Sequence, residues 1–256
     1  MPAPDNPLKS ALARGETRVG CWAAFAAPYP TEVLAEAGFD WLVIDAEHAP
    51  NDLGTISAQL GVLRGADTQA VVRLPMGETW AIKQVLDAGA QTLLIPMVES
   101  AAQAEGLVRA MRYPPGGVRG TGAALARASR FSGIPDYIET ANAQMCLMVQ
   151  VETRAGLAAL DDILAVEGVD VVFIGPSDLA ADMGHRGDAS VPEVQAAIRD
   201  ALGRIAAAGR APGILALDDE TAARYRDWGA RVLAVGIDVV LLAQAARALA
   251  ARWRDG

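Results

Sequence analysis

Two cysteines, two histidines and two lysines are all the sequence carries of the residues that most often bind transition metals or form covalent intermediates. So few His and Cys exclude a His- or Cys-rich zinc site within one chain. Cys21 and Cys146 both fall in apolar, strand-like runs, which argues for a reduced interior and against a disulfide framework. No apolar run is clean enough to span a membrane: the most apolar stretch, Val232 to Ala251, contains Asp238, Gln244 and Arg247. The opening MPAPDNPLKS has no basic head followed by an apolar block, so it does not read as a signal peptide. Basic residues are outnumbered, 22 against 31 acidic, for a net charge of −9 and a pI near 4.8. A surface that negative repels phosphate backbones, so nucleic acid is not an expected partner, while a local basic site for a small anion stays open. The expectation is a cytoplasmic protein that acts on small molecules, away from membranes.

Core material is abundant. Hydrophobic residues make up 52% of the 256 residues and charged residues 21%, unlike a disordered or coiled-coil chain. Eight short apolar runs alternate with amphipathic stretches: Val19–Phe25, Trp41–Asp45, Ala70–Leu74, Thr92–Val98, Cys146–Val151, Val169–Ile174, Gly213–Leu217 and Val232–Val235. Runs without internal alternation suit strands buried on both faces of a parallel sheet. One helix begins at Thr31 after Pro30 and ends at Ala37-Gly38. Another spans Thr79–Ala88 before Gly89, and a third ends at Trp228-Gly229, each with Gly at the C-cap. Eight βα units in about 250 residues predict an α/β fold, a single (β/α)8 TIM barrel over residues 1–256. A doubly wound open sheet is the alternative. The longest irregular segment, Tyr113 to Ile134, is rich in Gly, Pro and Arg and has the length of a functional loop.

In such a barrel, chemistry sits where strands end. Run two ends in Asp45-Ala-Glu-His48, run three in Arg73, run five in Gln150-Val-Glu152, and run seven in Leu217-Asp218; run six leads into Gly175-Pro-Ser-Asp178. Any one of these is explained as a solvated rim residue, but the group together is harder to dismiss. Glu152 and Asp178 at neighbouring strand ends repel unless a cation lies between them, and two carboxylates with open positions suit Mg²⁺ or Mn²⁺. The alternative is two unrelated rim acids. Gly175 to Asp178 offers helix-start N–H groups for a carboxylate, or is an ordinary βα turn with a capping residue. Arg73 either neutralises an oxyanion or pairs with Asp45 or Glu47. His48 is the one strand-end imidazole, a proton carrier or a structural hydrogen-bonding group. His185, in Met183-Gly-His-Arg-Gly187, reads as an exposed or lid residue of little functional weight. Trp22 walls a pocket or fills the core.

The motifs also carry a resemblance. Phe39-Asp-Trp-Leu-Val-Ile-Asp-Ala-Glu-His-Ala-Pro-Asn51, Tyr113-Pro-Pro-Gly-Gly-Val-Arg-Gly120, Leu125-Ala-Arg-Ala-Ser-Arg130, Val149-Gln-Val-Glu-Thr153 and Phe173-Ile-Gly-Pro-Ser-Asp-Leu179 resemble the HpcH/HpaI aldolase family, the metal-dependent class II pyruvate aldolases. The resemblance runs from about Lys9 to Arg252 and is closest to members that cleave 4-hydroxy-2-oxoheptane-1,7-dioate in aromatic compound catabolism. It implies a barrel whose C-terminal helix is exchanged between subunits of a homo-oligomer, a hexamer built as a trimer of dimers. It implies Glu152 and Asp178 as ligands of a divalent ion (Mg²⁺, Mn²⁺ or Co²⁺). Gln150, Gly175, Ser177 and Asp178 match substrate-binding positions, and Trp22 and Leu215 complete that set. His48 matches an acid/base residue, Arg73 the group that stabilises an enolate, and Asp87 a residue that tunes the His across a subunit boundary. Asp87 rests on the resemblance alone.

Both readings converge on reversible retro-aldol cleavage of a 4-hydroxy-2-oxo acid, heptanedioate-like or sugar-derived, to pyruvate and an aldehyde. A divalent ion would act as Lewis acid on the 2-oxo oxygen, and His48, or a metal-bound water it polarises, would move the proton. An imine route needs a lysine in the pocket, yet Lys9 precedes the first strand and Lys83 lies on a helix. A CoA-ester lyase of the citrate lyase β-like type is the alternative enzyme, although the one basic stretch for CoA phosphates is Arg109–Arg130. A non-catalytic 2-oxo-acid-binding barrel is the remaining alternative.

Overall fold

The computed structural model describes residues 2–254. Eight parallel strands close in chain order: β1 Arg18–Ala23, β2 Trp41–Asp45, β3 Gln69–Arg73, β4 Thr92–Ile95, β5 Cys146–Val151, β6 Val169–Ile174, β7 Ala211–Leu215 and β8 Val232–Ile237. β8 pairs back to β1, so the sheet has no strand-order reversal and the open-sheet alternative is excluded. Helix α1, Pro7–Ala13, precedes the barrel. The connections hold α2 Pro28–Ala35, α3 Leu53–Val62, α4 Thr79–Asp87, α5 Ala101–Met111, α6 Tyr137–Gln144, α7 Arg154–Ala158 and α8 Leu160–Ala165. Then come α9 Pro176–Asp182, α10 Pro192–Ala207, α11 Asp219–Asp227 and the terminal α12 Asp238–Arg254.

Several boundaries differ from the sequence reading. Helix α2 starts at Pro28 rather than Thr31, because a first-turn proline gives up an N–H that would have no partner anyway. Strands β1, β4 and β7 end two or three residues before their apolar runs do. Asp218 is not a strand-end group: it caps α11, its side chain accepting from Thr221 N at 2.8 Å. The segment Tyr113–Ile134 contains two short 3-10 turns, Ala123–Leu125 and Arg127–Ser129.

Side chains alternate along each strand between the barrel interior and the helices outside. Trp22, Trp41, Val43, Val71, Leu94, Cys146, Met148, Val171, Phe173, Val232 and Ala234 form the interior cluster. The intervening Leu42, Ile44, Val72, Leu93, Leu147, Val149, Val172 and Leu233 pack outward under the helices. Large interior rings need small neighbours: Gly20 lies in register with Trp41, and a Cβ at Gly20 would fall 2.3 Å from that ring. Leu8 and Leu12 of α1 join the interior cluster and plug the end where the strands begin.

Helix α12 is the exception to this packing. Asp238 is its one buried residue. Leu241, Leu242 and Leu249 are 47%, 58% and 51% exposed. No helix among the described residues is long and apolar enough to cross a membrane.

Candidate active site

Continuing the inward alternation by one step past each interior cluster leads from apolar side chains to polar ones, or on β6 to a glycine. On β2, Trp41 and Val43 are followed by Asp45; on β3, Val71 by Arg73; on β5, Met148 by Gln150 and then Glu152; on β6, Phe173 by Gly175. The sheet is parallel, so all of these reach the same end of the barrel.

Asp45 and Arg73 are cross-strand neighbours in register. Arg73 Nε donates to Asp45 Oδ1 at 2.9 Å and Nη2 to Oδ2 at 2.8 Å, a bidentate pair with both side chains buried. Arg73 Nη1 lies 2.8 Å from Glu47 Oε2, an ion pair not aligned as a hydrogen bond. The guanidinium also sits 5.3 Å from the Trp22 ring centroid, which packs in turn on Phe173 at 5.6 Å. Trp22 therefore both fills the core and floors the mouth beneath Arg73.

The turn after β2 is bound tightly to its own strand end. Asp45 Oδ1 accepts from Glu47 N at 3.0 Å and His48 N at 3.4 Å, and Asn51 donates its amide to Asp45 O at 2.7 Å. A capping box between Asp52 and Thr55 then starts α3. This rigid turn leaves the His48 ring 67% exposed, with Nε2 3.8 Å from Glu47 Oε2. Burial raises the Glu47 carboxyl above its ordinary range, and Arg73 pulls it back down.

Glu152 is 2% exposed. Its Oε1 accepts from Met97 N at 2.9 Å, and its Oε2 takes the Gln150 amide. Burial raises its pKa against those two hydrogen bonds, and the neighbouring Asp178 raises it further. Gly175 passes so close that a Cβ there would lie 2.2 Å from Glu152 Oε2 and 3.0 Å from Gln150 Nε2. Pro176 opens α9, and exposed Ser177 and Asp178 follow in its first turn, whose N–H groups have no intrahelical acceptor. Leu215 ends β7 on the same interior face.

Not every expected residue arrives. Asp87 lies at the C-terminal end of α4, where the strands begin, and its Oδ1 accepts from Arg119 Nη2 at 2.8 Å. Within one subunit it does not approach His48. His185 is partly buried against Glu193, with Nε2 3.2 Å from the carboxylate. Neither lysine reaches the mouth: Lys9 on α1 bonds Met145 O, 3.4 Å from Asp170, and Lys83 is on α4. The Met97 N–H and the positioning amide of Asn51 were missed by sequence reasoning. Met97 has φ +55, a conformation that its sequence does not announce. Asn51 could have been found, because it lies six residues past the strand-end Asp45 in the same motif.

The profile of the HpcH/HpaI aldolase/citrate lyase family matches residues 18–245. The chain belongs to that family. It is 74% identical to the hydroxypyruvate/pyruvate aldolase of Roseovarius nubinhibens over 99% of both chains. It is 54% identical to the 4-hydroxy-2-oxo-heptane-1,7-dioate aldolase of Klebsiella pneumoniae subsp. pneumoniae over 97% of this chain and 94% of that one. A crystal structure of an HpcH/HpaI aldolase/citrate lyase family protein from Burkholderia cenocepacia J2315 superposes with a TM-score of 0.94 at 41% identity, covering 97% and 99% of the two chains. The chain is an enzyme of the carbon–carbon lyase class.

Proposed function

We propose that the chain is a class II pyruvate aldolase that reversibly cleaves 4-hydroxy-2-oxo acids to pyruvate and an aldehyde, with a divalent ion held by Glu152 and Asp178. The observation that carries this reading is a charge imbalance. Asp45, Glu47, Glu152 and Asp178 stand at or beside one mouth, and the guanidinium buried among them, Arg73, already pairs with two of them. Buried Glu152 has two neutral donors, a carboxylate neighbour and only a distant share of the Arg73 charge, and its pKa stays raised, an arrangement a cation relieves. The donor set is all oxygen, and the buried Gln150 Oε1 has no partner, which fits Mg²⁺, Mn²⁺ or Co²⁺. The relatives named hydroxypyruvate/pyruvate aldolase support pyruvate or hydroxypyruvate as the oxo-acid partner.

A bound divalent ion supplies Lewis-acid polarisation of the 2-oxo group. The residues of the chain do the rest. The first-turn backbone N–H groups of Ser177 and Asp178 donate to the substrate carboxylate, Gly175 using its own N–H on Val151 O. Arg73 keeps two N–H groups beyond those on Asp45 and Glu47, and these hold negative charge on the C2 oxygen as the enolate forms. His48, exposed on a fixed turn, takes the C4 hydroxyl proton as the C3–C4 bond breaks, leaving the aldehyde and the enolate of pyruvate. Trp22 and Leu215 present apolar surface beneath the reacting carbons. Asp87 would act on His48 only from a neighbouring subunit. The exposed leucines of α12 support exchange of that helix between copies in a hexamer.

A coupled assay of pyruvate release across a panel of 4-hydroxy-2-oxo acids tests the reading. EDTA should abolish turnover, Mg²⁺, Mn²⁺ or Co²⁺ should restore it, and borohydride with pyruvate should leave both lysines unmodified. Borohydride trapping would overturn the metal route. Free acids are favoured over CoA esters because the expected phosphate-binding arginines are elsewhere. Arg119 is buried on Asp87, and Arg127 and Arg130 line a cavity at the other end of the barrel.

A further inference from the structure

A cavity of about 270 Å³ opens between the segments that lead into β3 and β4, at the end of the barrel opposite the mouth. Arg64, Arg127 and Arg130 line it, and no Asp or Glu does. That is a sharp local reversal in a chain of net charge −9. Among the described residues none of the three arginines forms an ion pair.

Arg127 is held in place by main-chain carbonyls. Its Nη1 donates to Ala88 O at 2.9 Å and its Nη2 to Leu60 O at 3.1 Å, where α4 and α3 end. The negative ends of those two helices offset part of its charge. Burial, and then the charge of Arg64 just past the end of α3, lower the Arg127 pKa. Arg130 reaches the cavity from the left-handed end of its 3-10 turn, φ +55, with an exposed side chain. Like charges gathered over an acid-free cavity are stabilised when an oxyanion accepts their N–H groups.

We propose that this cavity binds a compact dianionic oxyanion of the phosphate or phosphate-monoester class. Arg64 and Arg127 come from two separate segments and lie close enough to repel, with Arg130 at the same cavity, which suits a tetrahedral ligand with oxygens on several sides. The cavity lies at the end of its own barrel opposite the mouth and shares none of the mouth's residues.

The test is calorimetric titration of the full-length protein with inorganic phosphate at constant ionic strength. One phosphate per chain is expected, with Arg64→Gln and Arg130→Gln each weakening binding about tenfold and the double variant more. Both side chains are exposed, so thermal melting of the variants should match the parent. Glycerol phosphate should compete for the site, and neither succinate nor pyruvate should. Undiminished binding in the double variant, displacement by pyruvate, or no binding at about 10 mM phosphate would overturn the site. Equal competition by succinate would overturn its assignment to phosphates.

Discussion

The two ends of the barrel treat arginine in opposite ways. At the mouth, Arg73 is buried, meets two carboxylates and lies over Trp22. At the base, Arg64, Arg127 and Arg130 share a cavity without a carboxylate. The mouth has more negative charge than its guanidinium can balance; the base has the reverse. An unbalanced group of charges fixed by a rigid scaffold points to the charge of the ligand it receives. The mouth calls for a cation and the base for an anion. In each case the excess charge is the feature to remove.

Arg73→Ala should have the largest effect. It leaves buried Asp45 without its bidentate partner, which costs about 3–5 kcal/mol of stability. It also removes the charge that the proposed mechanism sets against the enolate, lowering kcat by about a thousandfold. Urea unfolding and pyruvate release measure the two losses separately. A variant with near-parental kcat would remove Arg73 from the chemistry and leave it a purely structural ion pair.

Glu152→Gln comes next and acts on the excess negative charge itself. The amide keeps the size of the side chain but not the charge that burial disfavours. The metal-free variant should melt no lower than the metal-free parent. Added Mg²⁺ should no longer raise its melting temperature, and activity should fall about a hundredfold or more. A full Mg²⁺ response in this variant would place the ion elsewhere.

Much of the mouth was legible because strand parity and strand ends are both written in sequence. Asp45, Arg73, Gln150 and Glu152 keep the phase of the interior residues Val43, Val71 and Met148, so knowing one inward residue per strand predicts the rest. The seventh run misled at Asp218, where a carboxylate after a strand serves equally well as a helix cap. The base was not legible. Its cavity forms only when Arg127 lies across the ends of α3 and α4, contacts 67 and 39 residues distant in sequence. Arg109–Arg130 was visible as a basic stretch, but its members separate: Arg119 is buried on Asp87 while Arg127 and Arg130 face the cavity.

Asp87→Asn sharpens the contrast at a further arginine. Arg119 is fully buried, lies 4.4 Å from the Tyr113 ring centroid and has Asp87 as its only carboxylate partner among the described residues. If that pairing is the whole role of Asp87, the variant loses about 2 kcal/mol of stability and keeps its kcat per folded subunit, the partial exposure of Asp87 moderating the cost. If Asp87 also faces His48 of a neighbouring copy, kcat falls as well and its pH profile moves. Unfolding curves and pH–rate profiles on the same preparations separate the two outcomes.

The smallest effect is expected from the cysteines, which lie between the two ends in the barrel wall. Both are free and fully buried, Cys146 on the inner face and Cys21 among the outward-packing residues. Burial pushes the Cys21 thiol up to about 12, with Asp238 adding to the shift, and holds Cys146 well above its ordinary value. Thiolate, not thiol, is the nucleophile, so neither should be alkylated by iodoacetamide near neutral pH while the barrel is closed. Unfolding in urea should expose both at once, since the strands that carry them belong to one sheet. Labelling of Cys21 ahead of Cys146 in the native protein would mean that β1 and the Asp238 contacts open separately, and the mouth would then be less rigid than its hydrogen bonds to Ala24 and Phe25 imply.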